Sequence, residues 1–333
     1  MRRFLLLLCI LIRLSNAVAQ QRPQFTQYFF NNFLINPAIT GIERYIDVKA
    51  GYRNQWVGLS GAPITSFVYA YAPIGKNYIS SNAGSFSENG NNPNSRSYMQ
   101  TYMAAEPHHG VGFHVVTDQS GPFNSTALNA TYAYHMGLAP RLNLSVGVSG
   151  GISMDKLDLS KIDVVSQNDP AVIATANLGT KINPDAGLGL WLYGPTFFVG
   201  ASVQQLLGSL SKITIAGQEV PHYYLTGGYK FFISDEISLI PSAMIKYASP
   251  TPVSFDLNAK AMFKDIFWLG AGYRKNDSFS AMAGFNISSL LNISYAYDIS
   301  TSQLRTVSNG SHEIVLGLLL NNKYRVTCPQ MLW

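Results

Sequence analysis

Five residues, Gly147 to Gly151, read G-V-S-G-G and fit the G-x-S-x-G pattern that surrounds an esterase nucleophile. That chemistry needs a strand-to-helix elbow, whereas Ser149 lies in the alternating run "RLNLSVGVSGGIS", so it reads as a small lumen-facing residue. The six histidines, His108, His109, His114, His135, His222 and His312, show no metal-ligand spacing. The His108–His109 pair reads as a solvated loop feature. No glycine-rich phosphate loop leads from a strand into a helix. The expectation is therefore no catalytic residue, no cofactor and no metal. The remaining candidates for chemistry are charges, Asp47, Lys49, Arg53, Asp256 and Lys260, which recur at every second position of apolar segments. Facing lipid they would be costly, so they should line a lumen and pair there, the alternative being a permeation or docking role.

The elements that position those charges are strands. In "SFDLNAKAMFK" Phe255, Leu257, Ala259, Ala261 and Phe263 fall on one side, and Ser254, Asp256, Asn258 and Lys260 on the other. Only a period of two sorts them so. Fourteen such segments are predicted, at 45–56, 63–72, 110–117, 123–136, 141–153, 185–193, 196–205, 222–233, 236–247, 254–263, 266–274, 277–287, 290–298 and 312–320. Pro241 interrupts the ninth, which is tolerable at a bulge but removes a ladder donor. Joins after even-numbered strands are mostly tight, and those after odd-numbered strands are often long, notably 154–184, 206–221 and 299–311. Bacterial outer-membrane barrels have short periplasmic turns and longer external loops. The fold class is thus an all-β transmembrane antiparallel β-barrel of about 14 strands, with both termini periplasmic. One join breaks the parity. The polar stretch 73–109 is either a long periplasmic loop or hides a further strand pair, and its polarity favours the loop.

Composition agrees. Hydrophobic residues make up 47% and charged residues only 12%, about half the usual charge of a soluble domain, and the mean hydropathy of +0.08 is too low for a helical bundle in lipid. A soluble all-β sandwich is the competing fold, but its strands would be shorter. Arg2 and Arg3 precede the apolar "FLLLLCILI" and "AVA" ends at Ala19, so residues 1–19 read as a signal peptide. Its removal takes three arginines and no acid, which lowers the formal net charge from +5 to +2. Nucleic acid loses its only compositional support. Cys328 is then the single cysteine, so no internal disulfide forms. The parts are a signal peptide (1–19), an N-terminal segment (20–44), the barrel (45–320) and a periplasmic C-terminal tail (321–333).

Between the signal and the first strand lies "QRPQFTQYFFNNFLINPAITGIERY", rich in aromatics, Asn and Gln and lacking a period of two. It reads as a plug folded into the barrel mouth, the alternative being a periplasmic linker. "QFTQYFFNNFLINPAITG", "YRNQWVGLSGAPIT", "SYAYDIS", "GSHEIVL" and the closing "CPQMLW", in this order, resemble the PorP/SprF family of the type IX secretion system. The resemblance implies a non-enzymatic outer-membrane accessory or anchor. It would support export or surface attachment of cargo with a C-terminal sorting domain, of the gliding-adhesin type, and contact periplasmic secretion and gliding components. It marks Gln24, Gln27, Tyr28, Asn31, Asn36 and Pro37 as plug positions, Arg53, Gln55 and Trp56 at the first strand's end, and Gly310, Ser311, His312 and Glu313 at the last strand's start. In the tail, Tyr324 and Trp333 are candidate partner contacts. The Asn36-Pro37-Ala38 element is also similar to the plug of long-chain fatty-acid transporters. A barrel moving hydrophobic small molecules is the alternative function.

Overall fold

The computed structural model describes residues 23–75, 103–161, 179–208, 219–234, 236–264, 266–288 and 290–322. The expected signal peptide, the middle of the 73–109 insertion, and Tyr324 and Trp333 of the tail lie outside them. The strands are β1 (Ile46–Asn54), β2 (Ile64–Ile74), β3 (His108–Ser120), β4 (Phe123–Ala139), β5 (Leu142–Leu157), β6 (Thr180–Tyr193), β7 (Phe197–Gln204), β8 (His222–Tyr229), β9 (Ile237–Tyr247), β10 (Ser254–Phe263), β11 (Phe267–Arg274), β12 (Ser278–Asn286), β13 (Leu291–Ser300) and β14 (Ser311–Leu320). Phe231 and Phe232 pair with Leu239 and Ser238 in the register that Tyr223–Gly228 keep with β9, so they continue β8 past Lys230. Every neighbour is antiparallel, and β14 pairs back onto β1 from Ile46↔Leu320 to Asn54↔His312. The fourteen strands close on themselves, which leaves no open edge in the membrane.

The period of two places apolar residues outside. Tyr52, Tyr223, Tyr247 and Phe279 are exposed near the end where odd-numbered strands finish, and Phe231, Phe263, Phe267 and Phe285 near the opposite end. Aliphatic residues such as Leu225, Ile245, Leu257, Leu269 and Leu316 are exposed between them. An apolar band edged by two aromatic girdles is the outer surface a lipid bilayer selects. The inner face holds Asp47, Lys49, Arg53, Asp256 and Lys260, all buried, as expected. Ser149 is buried on that inner face too.

Several boundaries depart from expectation by a few residues, among them the ends of β3 at Ser120 and β4 at Ala139. The third strand starts at His108 rather than Gly110, so the histidine pair is in a strand and not in a solvated loop. His108 is buried inside and His109 faces out against Tyr132. The fifth and sixth strands run on to Leu157 and back from Thr180, so the join between them covers 158–179 instead of 154–184. These extensions were hidden because the ladder continues beyond the apolar band, where Lys156 and Thr180 can face water. No bulge forms at Pro241, which pairs with Ala259 without a register shift. Proline offers no N–H toward β8, and β8 lapses there instead. The N–H of Lys230 donates to the Thr196 carbonyl at 2.6 Å.

Residues 23–45 lie within the barrel. From Phe25 to Glu43 every residue is buried, and two 3-10 turns, Asn32–Leu34 and Pro37–Ile39, flank Asn36. The segment begins at the loop end, where Arg274 at the end of β11 donates to the Phe25 carbonyl at 3.1 Å. It reaches the turn end before entering β1 at Ile46, beside Leu320.

Candidate functional site

The site is the contact between this segment and the inner wall. At the loop end, Thr26 and Gln27 meet a buried ionic cluster. Arg53 Nη2 donates to Asp298 Oδ2 at 2.8 Å and Nη1 to Glu313 Oε2 at 3.1 Å, with all three side chains almost fully buried. Arg53 Nη1 also donates to Thr26 Oγ1, whose hydroxyl in turn donates to Asp298 Oδ2 at 2.6 Å. The backbone N–H groups of Thr26 and Gln27 donate to the two Glu313 oxygens at 2.7 and 3.2 Å. One guanidinium and two carboxylates from three adjacent strands, β1, β14 and β13, thus hold two backbone amides and a hydroxyl of the segment. A buried charge set of this kind depends on every member being paired.

Deeper in, Tyr28 points its hydroxyl at Ser242 Oγ, 3.5 Å away. Lys49 Nζ donates to the Phe30 carbonyl at 2.9 Å and lies 3.9 Å from the Phe30 ring centroid. Phe33 packs between Tyr69 and Tyr71, at 4.9 and 4.8 Å between centroids. Tyr69 donates to Asn31 Oδ1 at 3.4 Å. On the opposite wall Asn36 caps its turn by accepting from the Ala38 N–H at 2.9 Å, and its amide donates to the Leu190 carbonyl at 3.0 Å. There the two backbones nearly touch. A Cβ on Gly147 would run into the Ala38 nitrogen, and one on Gly189 into Asn36 Oδ1. Only glycine admits that approach. Toward the turn end, His135 Nε2 is 2.8 Å from the Thr40 carbonyl and His108 Nε2 is 3.2 Å from that of Gly41, the two rings stacked at 4.5 Å.

The residues marked by resemblance divide into groups. Gln27, Arg53, Ser311 and Glu313 gather at the loop end, where the Trp56 N–H donates to Ser311 Oγ at 3.1 Å and the Val57 N–H to the Gly310 carbonyl at 2.8 Å. Trp56 holds a positive φ of 47° in that junction. Gln55 is buried beside it, with its N–H on the Pro63 carbonyl at 2.9 Å. Gln24 is half-buried at the segment's start. Tyr28 and Asn31 lie midway, and Asn36 and Pro37 contact the far wall. His312 is not part of the cluster; its ring faces outward, 2.6 Å from the Tyr295 hydroxyl. Sequence reasoning missed Thr26, Asp298, His108 and His135. Asp298 follows the alternation of "LNISYAYD" and could have been found from it.

A pocket of about 520 Å3 (open solvent included) lies at the turn end, lined among others by Phe30, Phe33, Glu43, Asp47, Lys49 and Lys260. No group of three or more metal-ligating side chains able to hold a metal occurs among the described residues.

A family model described as "Type IX secretion system membrane protein PorP/SprF" matches residues 17–318. The chain belongs to the PorP/SprF family. It is an outer-membrane β-barrel of the type IX secretion system, and the family implies dealings with secretion machinery and cargo in general. A search of curated proteins finds no significant relative. Solved barrels show remote likeness. Omp33 of Acinetobacter baumannii shares 7% identity over 84% of this chain and 100% of its own, with a TM-score of 0.48. The CymD monoaromatic hydrocarbon channel shares 12% over 88% and 91% at 0.47. A Pseudomonas aeruginosa FadL homologue shares 10% over 89% and 94% at 0.44.

Proposed function

We propose that this protein is a non-enzymatic anchor of the type IX system rather than its conduit. The loops after odd-numbered strands face outward and hold cargo carrying a C-terminal sorting domain. The turns and the tail at 321–333 face the periplasmic secretion and gliding components. The observation that carries this reading is the occupied lumen: residues 25–43 are buried inside the barrel and bonded to β1, β6, β13 and β14. A lumen filled by the chain itself leaves no route for a folded protein, so cargo must meet the barrel at its rim. The segment then acts as a plug, holding the rim in one shape.

Removing residues 162–178 from the loop between β5 and β6 tests the external half. The reading expects cargo to be lost from the cell surface to the medium while the barrel still folds, and unchanged retention would count against it. The transporter reading has less support, because the turn-end pocket brings Glu43, Asp47, Lys49 and Lys260 together. Uptake of a labelled fatty acid by liposomes carrying the protein would revive it.

A further inference from the structure

The two ends of the described chain open on opposite mouths of the barrel. Leu320, the last residue of β14, pairs with Ile46 at the turn end. Phe25 and Thr26 are held at the loop end by Arg274, Asp298, Glu313 and Arg53, each within the last or first three residues of its strand. Pro23 and Gln24 are the half-buried residues from which the segment descends. The segment therefore threads the lumen from the loop mouth down to the turn mouth and only then turns into β1.

We infer that the N-terminal end of the processed chain shares a face with the loops, opposite the end of the last strand. Strand parity alone puts both ends on the turn face. A signal peptide that ends at Ala19, as the sequence reads, leaves three residues ahead of Pro23. Three residues reach about 10 Å at full extension, and the apolar band of such a barrel is about 25 Å tall. The N-terminus cannot return through the lumen to the turn side. Given the orientation proposed above, on which this step rests, Pro23 and Gln24 open on the outside of the cell.

The test places single cysteines in a Cys328→Ser background and labels them with a membrane-impermeant maleimide. Arg305→Cys marks the loop face, Ser288→Cys marks the turn face, and Pro23→Cys is the position in question. With intact cells, Pro23→Cys and Arg305→Cys should label alike and Ser288→Cys only after the outer membrane is permeabilised. Pro23→Cys behaving like Ser288→Cys overturns the inference. If Ser288→Cys labels in intact cells and Arg305→Cys does not, the proposed orientation falls, while Pro23→Cys siding with Arg305→Cys still upholds the opposite-mouth arrangement. An epitope inserted between Arg22 and Pro23 reads the same face without a thiol at a half-buried position. Antibody binding equal to that of an epitope in the 301–310 loop supports the inference, and binding equal to one in the 287–290 turn overturns it.

Discussion

Arg53 is the residue on which the lumen's charge balance turns. Among the described residues it alone lies between Asp298 and Glu313 at ion-pair distance, and all three are shut away from water. Truncating one member of a buried charge set strands the others, at a cost of about 3–5 kcal/mol. Arg53→Ala is therefore expected to destabilise the barrel by that order, read as a lower temperature for loss of the compact, heat-sensitive band on a denaturing gel. Arg53→Ala combined with Glu313→Gln should recover part of the loss, since it removes one of the two stranded carboxylates. At the loop end Glu219 accepts from Ser153 Oγ at 3.1 Å, and burial, with Asp155 and Asp185 nearby, holds its carboxyl above the ordinary value of 4.5. The folded protein thus keeps a proton that the unfolded chain releases. The contribution is fully present below pH 4.5 and is lost as the pH rises through the higher folded value. Thermal midpoints should fall over that window, and Glu219→Gln should flatten the fall. The charges were legible at this scale: Asp47, Lys49 and Arg53 alternate with apolar neighbours, and lipid leaves them only one direction. Their partners were not, because pairing Arg53 with residues 245 and 260 positions away depends on which strands become neighbours.

The N-terminal segment behaves as a fitted element rather than a loose filling. Its close approach to the wall at Gly147 and Gly189 leaves no volume for a side chain. Gly147→Leu should cost about 1–3 kcal/mol by overpacking and displace the Asn36–Ala38 turn. Trypsin cleavage after the half-buried Arg44 should then speed up in the folded protein. Gly150→Ala should leave it unchanged, because nothing lies within 4 Å of the Cβ position there. The strands themselves were readable because lipid enforces a strict alternation, and all fourteen were found. The errors fell where that enforcement ends. β5 and β6 carry their ladder past the apolar band, and His108 looked like loop because its neighbour His109 is also polar although the two face opposite sides. The segment's path could not be read, since it has no period and follows a wall built from most of the chain.

At the scale of the whole molecule, a closed barrel holds residues 25–43 of its own chain buried inside it, and family membership sets it in the type IX secretion system. An occupied lumen separates an anchor from a channel, and conductance separates the two directly. In planar bilayers the intact protein should give no steady ion current. A variant lacking residues 24–44, or the Gly147→Leu variant, should open stable steps, because the lumen wall left behind is lined by Asp47, Lys49, Arg53, Asp256 and Lys260 and would fill with water. Steady conductance of the intact protein, equal to that of the variant without the segment, would contradict the account.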